Sequence, residues 1–221
     1  MLSNRPVSNI LLPLSLLPLS LLAAGASAAG AGCAQDEENN STVDAAIVDS
    51  QPVDSNSHPV VVMETTMGNL VIQLEAELMP QTTANFLQYV DSGFYDGTLI
   101  HRVIDDWVIQ GGGFSSGLVA KTANAPIALE TNKLVTHVNG AISMARTNDP
   151  NSATSQWFIV DWPKTGTPPQ PSQLDGNYAA FGVLIEGFDV LEAITKVATG
   201  KSDVHSDVPQ TEIVVQSAHR R

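Results

Sequence analysis

The sequence predicts a mainly β fold, an antiparallel barrel or sandwich carrying two helices. Three observations lead there. From His58 onward, about eight short strand-like runs follow one another, separated by turn residues. The first two meet at a hairpin signal, Thr66-Met67-Gly68-Asn69. Only two stretches have helical spacing, too few to supply the crossovers of a parallel sheet.

The elements follow in order. Val60 to Glu64 and Leu70 to Glu75 are β-branched runs flanking that turn, and Leu70, Ile72 and Leu74 share one apolar face. Pro80 to Ser92 reads as a helix. Proline suits its first turn, Phe86, Leu87 and Val90 form one face, and Gly93 closes it. Strand-like runs recur at Thr98 to Ile104, Trp107 to Gln110, Gly140 to Ala145, Gln156 to Val160 and Ala179 to Leu184. Phe188 to Val197 reads as the second helix, with Val190, Leu191, Ile194 and Val197 in register and Gly200 beyond. Thr211 to Ser217 is a closing strand. Asp161 to Gln173, rich in proline and polar residues, is expected to be a surface loop. The two helices suit the open ends of a barrel.

The N-terminal part differs. Arg5 precedes an apolar run from Ile10 to Leu22, too short to span a bilayer comfortably, and small residues follow up to Gly32. Residues 1–32 therefore read as a secretory signal. Two processing sites compete. Ala26-Ser27-Ala28 fits an ordinary small-residue cleavage site. Gly30-Ala31-Gly32-Cys33 resembles a bacterial lipobox, which would make Cys33 the lipidated first residue of an exported lipoprotein. Gly30 stands where Leu or Val is usual in that motif. Residues 33–57 are acidic and short of large apolar side chains, so they read as a flexible linker. Residues 58–221 are the expected folded domain.

The chain has 10 Lys+Arg against 23 Asp+Glu, a formal charge of -13. That balance repels phosphate backbones and argues against a nucleic-acid partner. It also argues against membrane contact through a basic patch, so a lipid anchor is the one membrane link expected. The single cysteine cannot form an internal disulfide, and no Cys/His cluster has metal-ligand spacing. Gly-x-Ser-x-Gly does not occur, and Gly111-Gly112-Gly113 lacks the Lys-Ser/Thr pair of a phosphate loop. His101 has no metal-spaced partner and reads as a packed histidine. No metal or cofactor is expected.

The most informative stretch is Ile100 to Phe114, IHRVIDDWVIQGGGF. Arg102 interrupts an apolar strand, and a charge there is costly unless something is arranged around it. Together with Gln110 and nearby apolar residues it suits binding and polarising a neutral group, not nucleophilic or acid-base chemistry.

Several segments, in order and spacing, resemble the cyclophilins: His101-Arg102-Val103-Ile104, Gln110 to Phe114, Met144-Ala145-Arg146, Ser155-Gln156-Trp157-Phe158-Ile159 and Phe181-Gly182. Thr66 to Leu70, Pro80, Asn85-Phe86 and Gly93-Phe94-Tyr95-Asp96 fit upstream, so the resemblance runs from about Val60 to Ser217. It implies a closed eight-stranded antiparallel barrel capped by two helices. It also implies peptidyl-prolyl cis-trans isomerase activity on proline-containing polypeptides. Arg102 then holds the catalytic place and Gln110 the place that binds substrate backbone. Trp107, Val108, Phe158 and Leu174 fall at the proline pocket, with Ile104 beside it. Ala145, Gln156, Arg146 and Tyr178 fall on its rim. Arg146-Thr147 resembles bacterial secreted members. Gln173 stands where many eukaryotic members have a tryptophan that contacts cyclosporin, so weak or no binding of that drug is expected. A monomer is expected. The alternative function is a module that binds proline segments without significant turnover.

Overall fold

A computed structural model of the chain describes residues 58–163, 173–202 and 205–221. The signal, lipidation and linker assignments, and most of the predicted 161–173 loop, lie outside them.

Eight strands close into a ring: β1 (Val60–Thr65), β2 (Gly68–Leu74), β3 (Thr98–Ile104), β4 (Val108–Ser115), β6 (Ala141–Met144), β7 (Trp157–Val160), β8 (Ala180–Glu186) and β11 (Val214–Arg220). Their order is β3-β11-β1-β2-β8-β6-β7-β4, and a β3–β4 pairing completes the circle. Every ladder in the ring is antiparallel. Closure leaves the ring without the open edges of a sandwich. The two-residue β5 (Val119–Ala120) hangs on β4, and β9 (Thr199–Ser202) and β10 (His205–Pro209) form a separate hairpin.

The interior follows from strand alternation. Val103, Ile109, Ile159 and Ile142 lie opposite one another across β3, β4, β7 and β6, and all are buried in the main core. α1 (Pro80–Asp91) adds Phe86, Leu87, Tyr89 and Val90 to that core, and α2 (Phe188–Thr195) adds Leu191 and Ile194.

Four features differ from what the sequence predicts, each for a physical reason. β4 runs on through the three glycines to Ser115 instead of stopping at Gln110. A side chain on Gly112 would come within 2.8 Å of the Trp157 indole, and its φ of 81° is itself a glycine conformation. The bare strand lets the Trp157 indole approach it closely, fully buried. The closing strand is shifted to Val214–Arg220, because its register with β1 runs out to Arg220 while Glu212 turns away to accept from Ser116 Oγ and Gly117 N. The β9–β10 hairpin has no apolar alternation to announce it. Asp161 and Trp162, assigned to a surface loop, are buried. Thr195 Oγ1 donates to Asp161 Oδ2 at 2.8 Å, and Trp162 Nε1 donates to the His137 carbonyl at 2.8 Å.

Candidate active site

The residues facing away from the core build a second layer. Arg102 on β3 lies opposite Gln110 on β4, Gln110 opposite Phe158 on β7, and Phe158 opposite Ser143 on β6. Residues directly opposite in antiparallel ladders share a face, so these four side chains form one row on the outside of the barrel. A slip in register between Ile100 and Arg102 inserts one extra residue in β3 there. Such a bulge re-aims side chains. Ile100 stays in the core while Arg102 emerges on the outer face.

Val108, Ala145, Phe158 and Leu174 pack with Ala141, Val160 and Trp162 into an apolar cluster distinct from the core, and Trp107 and Tyr178 pack against it. All six of these sequence-predicted apolar residues are therefore brought together. Ile104 is half-buried, opposite Val108 in the β3–β4 register. Trp157, neighbour of Phe158, points the other way into the core. Arg146 lies over the Tyr178 ring, 4.6 Å from its centre, and donates from Nε to the Asn177 carbonyl at 2.8 Å. Gln173 is exposed at the start of the turn that carries Leu174.

The polar side of the site is a chain of donors and acceptors. Arg102 Nη1 donates to Gln110 Oε1 at 3.3 Å, and Gln110 Nε2 donates to Gln156 Oε1 at 3.0 Å. Gln110 is buried, and the Arg102 side chain is 17% exposed. Arg102 Nη2 is buried and finds no acceptor among the described residues. Burial pulls the guanidinium below its ordinary pKa, and Asp207 opposes that shift. It stays charged at neutral pH.

Two features escaped the sequence reading. His137, fully buried, stacks on Phe158 with ring centres 5.9 Å apart and planes 8° apart. Its Nδ1 lies 2.7 Å from Asp175 Oδ1 and its Nε2 lies 3.0 Å from Ser143 Oγ. This network backs the apolar cluster and ties down the turn beside Leu174. It joins residues 38 apart in sequence, which no spacing rule connects. The other is Asp207, whose carboxylate approaches Arg102. A recess of about 340 Å³ between β3 and the β9–β10 hairpin, lined by His101, Lys201, Gln210 and Glu212 among others, shares no residue with the apolar cluster. The row through Arg102 lies beside the apolar cluster, on a different part of the barrel surface from that cavity.

His101 is packed, as its lack of partners suggested, at 5% exposure against Phe114. Burial lowers its pKa from 6.5 to about 4, with repulsion from His205 adding to the shift and the Leu99 backbone opposing it. Burial lowers His137 as well, against the pull of Asp175. The folded state thus holds His101 neutral where the unfolded chain would take up a proton, so stability is full above about pH 6.5 and falls towards pH 4. The loss from His101 is of the order of 3 kcal/mol across that window. Urea midpoints should therefore fall steadily from pH 7 to pH 4.5, and less steeply in His101→Gln. A wild-type midpoint constant over this range contradicts the assignment.

Comparison with known proteins agrees with this architecture. Residues 60–220 match the family model "Cyclophilin type peptidyl-prolyl cis-trans isomerase/CLD". The chain is 44% identical over 159 residues to peptidyl-prolyl cis-trans isomerase cyp18 of Streptomyces antibioticus, covering 72% of this chain and 96% of that one. It is 38% identical to peptidyl-prolyl cis-trans isomerase B of Escherichia coli, covering 72% and 97%. The crystal structure of a cyclophilin type peptidyl-prolyl cis-trans isomerase from Cryptosporidium parvum superposes with a TM-score of 0.61 at 28% identity, covering 74% of this chain and 98% of that one. The same relative was also crystallised in the presence of the dipeptide Ala-Pro. The closed ring, the two helices and these matches over nearly all of the described residues place the chain in the cyclophilin-type peptidyl-prolyl cis-trans isomerases.

Proposed function

We propose that this isomerase works outside the cytoplasm, with Arg102 as its catalytic group and the outer apolar cluster as its proline pocket. The observation that carries the site assignment is Arg102 Nη2, a buried charged donor with no acceptor among the described residues, beside Gln110 and next to that cluster. A donor in that state costs free energy in the free protein and is satisfied when an acceptor arrives.

An X-Pro amide has double-bond character, with a rotation barrier of roughly 18–20 kcal/mol and spontaneous isomerisation in tens of seconds or longer. Reaching about 10 turnovers per second needs about 4 kcal/mol of relief. No bond is broken and no proton need move. As the C–N bond twists, the prolyl nitrogen becomes pyramidal and its lone pair is freed from the amide. Arg102 Nη2 donates to the twisted amide, an interaction weak in the planar ground state and therefore selective for the transition state. A charge-assisted hydrogen bond contributes about 1.5–3 kcal/mol, and partial desolvation strengthens it. Phe158, Leu174 and Val108 grip the ring so that the flanking chain turns. Gln110, held by Gln156, offers its amide to substrate backbone. The Ala-Pro dipeptide used with the solved relative fits this substrate class. With Gln173 in place of a tryptophan, cyclosporin binding is weak.

The extracytoplasmic role is supported by the N-terminal sequence: Arg5, the Ile10 to Leu22 run, and Cys33 at the end of the small-residue stretch. Processing there would leave a lipid-anchored or secreted isomerase that assists folding of exported chains. Mass spectrometry of the protein expressed in a bacterium tests this. A diacylglyceryl mass on Cys33, or an N-terminus beginning after Ala28, supports export, and an intact N-terminus in the cytoplasmic fraction contradicts it.

A further inference from the structure

The β9–β10 hairpin brings a carboxylate to the Arg102 guanidinium. Asp207 Oδ2 lies 3.9 Å from Arg102 Nε, an ion pair longer than a hydrogen bond. Three observations show that this carboxylate is placed. Asp207 has a φ of 61°, a left-handed conformation sparse among residues with side chains. It sits where the register slips between His205 and Val208, as a bulge does when it re-aims a side chain. Ser206 Oγ donates to Asp207 Oδ2 at 3.1 Å and fixes that oxygen. The hairpin is seated on the barrel by the His205 ring, 5.1 Å from Phe114 and 6.5 Å from His101, centre to centre.

The guanidinium then has its three nitrogens assigned. Nη1 is held by Gln110 from β4, Nε faces Asp207 from β10, and Nη2 is buried with no acceptor among the described residues. A planar fork held at two corners cannot turn its third corner away. Given Arg102 as the catalytic group, we propose that Asp207 is a positioning residue. Its carboxylate, facing Nε from β10, restrains the guanidinium while Gln110 engages Nη1 from β4, so that Nη2 is positioned before substrate arrives. This is preorganisation of a donor, which acts on the transition state more than on substrate affinity. Opposite charge beside a half-buried guanidinium also favours its charged form, in keeping with the direction in which Asp207 moves Arg102.

The competing role is structural: the pair could simply pin the hairpin to the barrel. Two variants of the full chain separate the roles. Asp207→Asn removes the charge at constant shape, and Asp207→Gly removes the side chain at a backbone conformation that glycine adopts readily. Turnover of a short Ala-Pro peptide, ¹⁵N relaxation of Arg102 Nε and thermal stability are measured for both. The expected result is kcat lowered about threefold to fivefold in each, the scale of a partly exposed pair. KM should stay within about twofold, and the Arg102 Nε order parameter should drop below about 0.6. A kcat that is unchanged or raised in folded variants overturns the proposal, whatever happens to stability. Arg102→Ala run alongside keeps the two levels apart. If it also leaves kcat unchanged, the catalytic assignment falls. If it alone loses activity, only the role of Asp207 does.

Discussion

Arg102→Ala is expected to lower kcat/KM for a short X-Pro peptide by at least tenfold, with most of the loss in kcat. The magnitude follows from the interaction removed. A charge-assisted hydrogen bond of about 1.5–3 kcal/mol corresponds to a factor of roughly 10 to 150. The loss falls on kcat because the bond forms only as the amide twists. Folding should survive. Arg102 is on the outer face, and its removal leaves the core row of Val103, Ile109, Ile159 and Ile142 intact. Truncation removes the buried Nη2 that has no acceptor among the described residues, but it also takes the donor from buried Gln110 Oε1, so a modest loss of about 1 kcal/mol is expected. Arg102→Lys is expected to fall between the two, because an ammonium keeps the charge but cannot engage Gln110 and the substrate through one rigid fork. Equal kcat/KM in wild type and a folded Arg102→Ala variant would rule out the mechanism.

Phe158→Ala is expected to raise KM by about tenfold and to cost roughly 3 kcal/mol of stability. Phe158 is 6% exposed, and its ring is fixed on two sides. It lies parallel to His137 and edge-on to Tyr178, whose ring centre is 5.5 Å away at 88°. Removing it leaves the proposed pocket without a floor and opens a hole beside Leu174. The barrel core lies on the opposite face of β7 and is untouched, since Trp157 and Ile159 point inward. Phe158→Leu should recover most of the stability and part of the affinity. Steady-state kinetics and urea denaturation check both. A large loss of stability with KM unchanged would make Phe158 ordinary packing and move the pocket elsewhere.

The short apolar strands bounded by turn residues are legible in the sequence. β1, β2, β3, β7 and β8 lie within a residue or two of their sequence-predicted bounds because each is a short apolar or β-branched run between turn residues. The glycine run hid the end of β4. Its reason is the close approach of Trp157, a tertiary contact that propensity cannot express. The hairpin of β9 and β10 hid for a simpler reason. Thr199 to Ser202 and His205 to Pro209 bury little, and their strands exist by pairing with each other and resting on β3. Asp161 and Trp162 misled because polar and proline-rich composition signals a loop without saying whether the loop is covered.

Legibility of the site divides in the same way. Arg102, Gln110 and Phe158 stood out because a charge or amide within apolar strands has to be explained, and the family resemblance gathered them. Ladder register then supplied what sequence could not, namely that Arg102, Gln110 and Phe158 lie in one outer row. His137 and Asp207 left no trace. They belong to irregular backbone and a polar hairpin, and Asp175 and Arg102, which they engage, are tens of residues away.

The most direct measurement is two-dimensional NMR exchange on a short Ala-Pro peptide with enzyme at catalytic concentration, comparing wild type with Arg102→Ala. Wild type is expected to give cis–trans exchange cross-peaks whose rate falls at least tenfold with the variant, while peptide binding persists. Exchange of equal rate in both, or binding shifts without any exchange in wild type, would contradict it.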